Sequence, residues 1–190
     1  LLLKNKKYFW MGLFVILAFE LQSAYNNWQN SKQQKLIVYN VPQHQAIDLV
    51  SGNSYKFIGD SILQEEGLLQ NFHLKPGRIA QQLNNRTDSL AEVFQQGIFY
   101  QFSNKRIAII DRPLTAAPLQ QKINLDLLII SKNPKLSVSQ LTAVFNCKQF
   151  VFDASNAGWK IEKWTAECKA LHVNFYPIPV KGAFIYDTGM

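Results

Sequence analysis

Imidazoles, carboxylates and thiols are the side chains with which this 190-residue chain could do chemistry near neutral pH, and their spacing matches no common catalytic pattern. The three histidines, His44, His73 and His172, stand far apart in sequence. There is no H-x-H-x-D-H segment, no H-E-x-x-H helix and no Cys/His set of the kind that binds zinc. A G-x-S-x-G elbow, a Walker loop and a G-x-G-x-x-G turn are also missing. Asp60, Asp111, Asp126 and Asp153 each fall at or near the end of a strand-like run, where α/β proteins often place reactive groups. Single carboxylates there more often cap loops. A metal-free hydrolytic site would have to be built from Asp60, Asp153 and His44, and requires all three in one pocket.

The elements that would position these groups are clearest in the last third of the chain. Leu125–Ser131 reads as a strand, Ser137–Phe145 as a short amphipathic helix capped by Ser137, and Gln149–Ala154 as a second strand. A longer helix follows over Asn156–Leu171, with Asn156 as its expected cap and Trp159, Trp164, Cys168 and Leu171 on its packing side. Strands at Asn174–Pro179 and Ala183–Asp187 flank a turn at Lys181-Gly182. Upstream, Lys35–Val41, Gln45–Val50 and Ser54–Ile58 are strand-like, with a turn at Ser51-Gly52-Asn53. Leu63–Asn71 is expected to be a short helix broken by Lys75-Pro76-Gly77. Ile98–Phe102 and Arg106–Ile110 form a strand pair, and Arg112–Gln121 is a connector.

Residues 1–29 read as a membrane segment. Tyr8–Phe19 is uncharged, and a helix from Tyr8 to Trp28 reaches the length a bilayer requires, with Trp10, Tyr25 and Trp28 near the interfaces and Glu20 in its outer half. Lys4, Lys6 and Lys7 before a short apolar core also suit a signal peptide, but Gln22-Ser23-Ala24 is a poor cleavage site, so an uncleaved span is preferred. Those lysines place the N-terminal side in the cytoplasm and the remainder outside. The expected organisation is therefore a span with its flank (1–29), a linker (30–34) and one folded domain (35–190). The sequence begins at Leu1, which suggests the end of a longer polypeptide.

The net charge is +7. Outside residues 1–29 there are 17 Lys and Arg against 12 Asp and Glu, scattered without a basic run, so an ordinary solvated surface is expected over a strong polyanion binder. Cys147 and Cys168 are the only cysteines; a disulfide is open to them, and two buried thiols are the preferred reading.

The order of elements resembles half of the four-layered αββα metallo-β-lactamase pattern, and the chain resembles the extracytoplasmic C-terminal domain of ComEC competence proteins. Where that family has D-V-G-Q-G-D-A, this chain has Asn40-Val41-Pro42-Gln43-His44-Gln45-Ala46. Where it has I-D-x-G, Phe57-Ile58-Gly59-Asp60 stands. The H-H-G-S position carries Ser131-Lys132-Asn133-Pro134, and N-x-Y-G-H-P is matched by Ser155-Asn156-Ala157-Gly158-Trp159. The closing G-A is retained as Gly182-Ala183.

The resemblance implies an α/β (α+β) fold: a shortened metallo-β-lactamase-like αββα sandwich lacking metal ligands, preceded by one transmembrane helix. It implies a membrane protein for uptake of single-stranded DNA in competence, with its soluble part on the periplasmic side of the cytoplasmic membrane. The lost imidazoles argue against a catalytic, cofactor-binding or metal-binding site. The candidate nucleic-acid contacts are Lys132, Lys135, Arg106 and Trp159, and the expected partners are the upstream transmembrane region and single-stranded DNA. Its role would be a non-catalytic scaffold bracing the transmembrane core or a DNA-entry domain; a membrane-anchored hydrolase of the same fold and an interaction module unrelated to DNA are the alternatives.

Overall fold

In the computed structural model, which describes residues 6–114 and 121–188, two β-sheets stack face to face between helical layers. In chain order the elements are α1 (Lys6–Asn30), β1 (Gln34–Val38), β2 (Ala46–Ser51), β3 (Ser54–Gly59), α2 (Lys75–Ala80), β4 (Asn85–Arg86), β5 (Val93–Gln96), β6 (Phe99–Phe102) and β7 (Lys105–Ile110). Then come β8 (Ile123–Ile130), α3 (Val138–Val144), β9 (Phe145–Phe152), α4 (Gly158–Ala170), β10 (Phe175–Pro177), α5 (Ile178–Lys181) and β11 (Phe184–Asp187). The first sheet has the order β11-β1-β2-β3-β4 and is antiparallel except for β3 with β4. The second has the order β10-β9-β8-β7-β6-β5, with β7 to β10 parallel and the β5–β6–β7 meander antiparallel. This is the mixed α+β class expected from the sequence.

The layers follow from the two-residue alternation of strand side chains. Leu36 and Val38 of β1 and Ile47 and Leu49 of β2 point between the sheets, against Ile107, Ile109, Leu127 and Ile129. Ile37, Val50 and Tyr55 face the other way, towards Leu63 and Leu74. Strand β8 is buried on both sides, because Leu128 and Ile130 pack under Val138, Leu141, Ile161 and Trp164 of the α3–α4 layer. That double burial explains its unbroken apolar run. Each fully buried aliphatic side chain contributes roughly 1.5–3 kcal/mol of transfer free energy. The Ser137 cap expected for α3 is present and reciprocal: its hydroxyl accepts from Gln140 N–H at 3.3 Å and Gln140 Oε1 accepts from Ser137 N–H at 3.0 Å.

Helix α1 buries none of its side chains in the protein, and it is long and apolar enough to cross a membrane. Its 25 residues span about 37 Å at 1.5 Å per residue. The chain leaves it through a short connection to β1. Gly52, at φ +58° in the β2–β3 turn, lets that connection approach, since a Cβ there would lie 2.9 Å from Ser31 O. Both cysteines are free; Cys168 is buried as expected, whereas Cys147 is only half-buried.

Several local expectations are corrected. Strand β9 begins at Phe145, four residues before the expected start, and takes over the end of the helix expected to Phe145. Asn156 does not cap α4; Ala157 holds that position, and the Asn156 amide is engaged between the strand ends instead. The last two strands, expected only to flank a turn at Lys181-Gly182, enter different sheets: β10 extends the second and β11 closes the first, with α5 between them. The helix expected at Leu63–Asn71 begins only at Leu68, after a 3-10 turn at Ser61–Leu63, and runs on through a π-helical turn at Gln70–Leu74. Pro76 does not break the helical run: it falls in the first turn of α2, directly after the π-helical turn, where its missing N–H is tolerated. Of the two tryptophans on α4, Trp164 is buried against Phe152, whereas Trp159 is 65% exposed. Part of the Arg112–Gln121 connector lies outside the described residues.

Candidate functional site

The C-terminal ends of the parallel strands β8 and β9 carry a dense polar network. Asp153, buried just beyond β9, accepts hydrogen bonds from Ser131 Oγ (2.5 Å), the Ser155 N–H (3.0 Å), the Ser155 hydroxyl and Asn156 Nδ2 (3.0 Å). Burial pushes its carboxyl up to about 7 against the opposing pull of the Ser131 and Ser155 hydrogen bonds. Asn156 also donates to Ile130 O at 2.6 Å and so ties the two strand ends together. The loop after β8 then passes through two consecutive left-handed residues, Lys132 (φ +59°) and Asn133 (φ +55°). Such backbone costs of order 1 kcal/mol or more per residue. It is held by Lys132 N–H on Ser155 Oγ (2.7 Å), Asn133 N–H on Asn156 Oδ1 (2.9 Å) and Ala157 N–H on Asn133 Oδ1 (2.7 Å).

That loop aims the Lys132 ammonium across to the first sheet, where it meets Asp60 Oδ1 at 2.9 Å. The other carboxylate oxygen takes His44 Nδ1 at 3.0 Å and the Gln45 N–H at 3.1 Å. Partial burial raises the Asp60 pKa, but the hydrogen bonds from Lys132, His44 and Gln45 outweigh it and hold the carboxyl below its ordinary value. The close approach of β3 to Gln45 that makes this possible depends on Gly59, where a Cβ would lie 2.2 Å from Gln45 O.

His44 and Asp60 are therefore in contact. Asp153 lies close enough to feel the Asp60 charge, but it is hydrogen-bonded to its own serines and asparagine. The donor set does not suit a divalent ion: an ammonium is seated on Asp60, and Asp153 is occupied by hydroxyl donors. Among the described residues no three His, Cys, Asp or Glu side chains form a group able to hold a metal.

Beside this network, on the α3–α4 layer, a cleft of about 390 Å³ is lined by Lys135, Ser137, Gln140, Trp159, Lys160 and Lys163, with Trp164 forming part of its wall. Lys160 is anchored by hydrogen bonds to Asn133 O (2.5 Å) and Pro134 O (3.2 Å). Its ammonium sits 5.6 Å from the Trp159 ring centroid, within cation–π range. Lys132, Lys135 and Trp159 are thus grouped at one end of the sandwich. Arg106 is not with them: it lies near the start of β7, beside Asp126 and Lys148 at the opposite end of the parallel strands. At about 3.3 Å per residue, the six residues from Asp126 to Lys132 separate the two places by roughly 20 Å.

Lys160 and Lys163 were not among the expected site residues, Asn156 was expected only as a helix cap, and Ser131 only as a substituted family position. A signal existed for the lysines, which stand one and four residues after Trp159 and so border it on a helix. The Ser131–Asp153–Asn156 network had no such signal, since its members come from two strands joined by a crossover.

A family profile described as the ComEC C-terminal domain matches residues 36–188. No curated protein and no solved structure matches the chain.

Proposed function

The chain belongs to the ComEC C-terminal domain family, and from that premise we propose that it is the non-catalytic, outward-facing domain of a ComEC-type membrane protein, contacting incoming single-stranded DNA. The observation that carries this reading is the cleft in which an exposed indole is surrounded by Lys135, Lys160 and Lys163. Single strands are bound by this combination of aromatic stacking and phosphate neutralisation. The two stacked sheets with helices outside support descent from a metallo-β-lactamase-like framework. The Lys132–Asp60 ion pair supports the loss of its metal chemistry. Lys6 and Lys7, at the N-terminal end of α1, support an outward orientation of the domain across the cytoplasmic membrane. The transmembrane part of the same protein is the natural partner for α1.

The test is binding of labelled oligo(dT) to the full chain in nanodiscs, measured by anisotropy over a salt series. Three lysine–phosphate contacts give a log–log salt slope of about −2. Trp159→Ala is expected to weaken binding about 5- to 150-fold, from the ~1–3 kcal/mol of one stacking contact. Because Trp159 is exposed, the melting midpoint should not move. No binding at low salt, or binding indifferent to Trp159, refutes the reading.

The His44–Asp60 contact favours one alternative, a membrane-anchored hydrolase with an unusual site. DNA cleavage by the chain that disappears in both His44→Ala and Asp60→Asn would establish it.

A further inference from the structure

The helical run over residues 68–80, which covers the outer face of the first sheet, is apolar on both sides. Its inner side holds Leu74, fully buried, and Arg78, paired with a strand aspartate. Its outer side presents Leu68, Phe72 and Ile79, 75%, 71% and 73% exposed, with Pro76 between the last two. Spacings of four, four and three residues put these four along one stripe of a helix. A stripe of large apolar side chains facing outward calls for a covering partner.

The connections of this run indicate what that partner is. Gln81, immediately after α2, accepts at its backbone oxygen from Gln33 Nε2 (2.7 Å) and at its side-chain oxygen from Lys35 Nζ (2.7 Å). Gln33 stands three residues beyond the end of α1 at Asn30, no more than about 11 Å of chain. The end of the stripe at Ile79 is thereby fastened beside the point where the chain leaves the membrane.

We propose that Leu68, Phe72 and Ile79 form a bilayer-docking face, inserted at the headgroup–acyl boundary of the membrane that α1 crosses, so that the domain rests on this side. Amphipathic helices lie in the interface in this way, with the apolar stripe submerged. Docking relies on insertion more than on charge, because Lys75 is paired with Glu66 and Glu65 stands next to it. It should therefore persist on zwitterionic lipid. The proposal is independent of DNA contact, which uses the opposite helical layer.

The experiment places an environment-sensitive NBD label on Phe72→Cys or Ile79→Cys in the full chain, in a Cys147→Ser background; Cys168 is fully buried. Glu162→Cys on α4 is the control. Each is reconstituted in phosphatidylcholine nanodiscs with and without doxyl-labelled lipid. Labels at 72 and 79 are expected to emit to the blue of the control and to be quenched at least twofold more by doxyl lipid, with little change in high salt. Equal responses at all three positions, or quenching at 72 and 79 by aqueous iodide alone, would overturn the proposal. Protection from both quenchers would also overturn it, by showing a protein cover. Both substitutions are at exposed positions, so if one variant misfolds the other gives the answer.

Discussion

Removing the guanidinium of Arg78 should expose how strongly the outer helical layer is fastened to the first sheet. Arg78 reaches from α2 into that sheet and meets Asp48 of β2 through two bonds, Nε to Oδ2 at 2.8 Å and Nη2 to Oδ1 at 3.0 Å. The Asp48 side chain is wholly inaccessible and that of Arg78 is 8% exposed. Tyr39 donates a third bond to Asp48 Oδ2 at 2.8 Å, and the guanidinium stacks 4.3 Å from the Tyr55 ring. Burial works against the Arg78 charge, but its bonds with Asp48 prevail and raise its pKa. In Arg78→Met the packing over Tyr55 is largely kept while Asp48 loses two of its three donors. Breaking a buried pair from one side costs about 3–5 kcal/mol, a large share of the ~5–15 kcal/mol that holds a domain together. With a urea dependence near ~2 kcal/mol per molar, the midpoint should fall by roughly 2 M.

The assay is urea denaturation of the detergent-solubilised chain, followed by circular dichroism of the sheets. The penalty has a definite pH signature. Burial raises the Asp48 pKa, so without its guanidinium the folded variant binds a proton that the unfolded chain releases. The loss should be greatest at and above neutral pH and shrink as the pH falls. Adding Asp48→Asn to Arg78→Met should recover most of the loss, since no charge is then left behind. A single variant within about 1 kcal/mol of the parent, or a double variant no better than the single, would refute this account of the ion pair.

The remaining expectations are shorter. Asp153 titrates near 7 in the folded protein, well above its unfolded value, so the native state holds the extra proton and stability declines as the pH rises from about 4 towards 7. Asp153→Asn should abolish that decline and should be the more stable of the two at pH 8, by on the order of 2–4 kcal/mol; identical pH profiles would contradict it. Gly59→Ala should cost at least about 1–3 kcal/mol as the new methyl meets Gln45 O. It should also shift the His44 ring resonances in NMR spectra, because Asp60 moves with the strand end; an unchanged melt would show that the approach can relax.

What the sequence determined by itself was local. Alternation and apolar runs placed most of the strands, the Ser137 cap and the packing side of α3, because those depend on neighbours a few residues away. The membrane-length helix and the substituted family motifs were equally legible, being properties of contiguous residues. Only the tertiary structure decided which separated side chains meet. It put Lys132, from a crossover loop of one sheet, on Asp60, from a strand end of the other. It sent β10 and β11 into different sheets although they stand next to each other in sequence, on either side of Lys181-Gly182. It divided Trp159 from Trp164 on a single helix, since five residues rotate a side chain by well over a quarter-turn and the sheet covers only one side. It also left Arg106 alone at the far end of strands whose other ends carry the lysine cleft, for parallel pairing fixes direction, and direction is set between strands rather than within one.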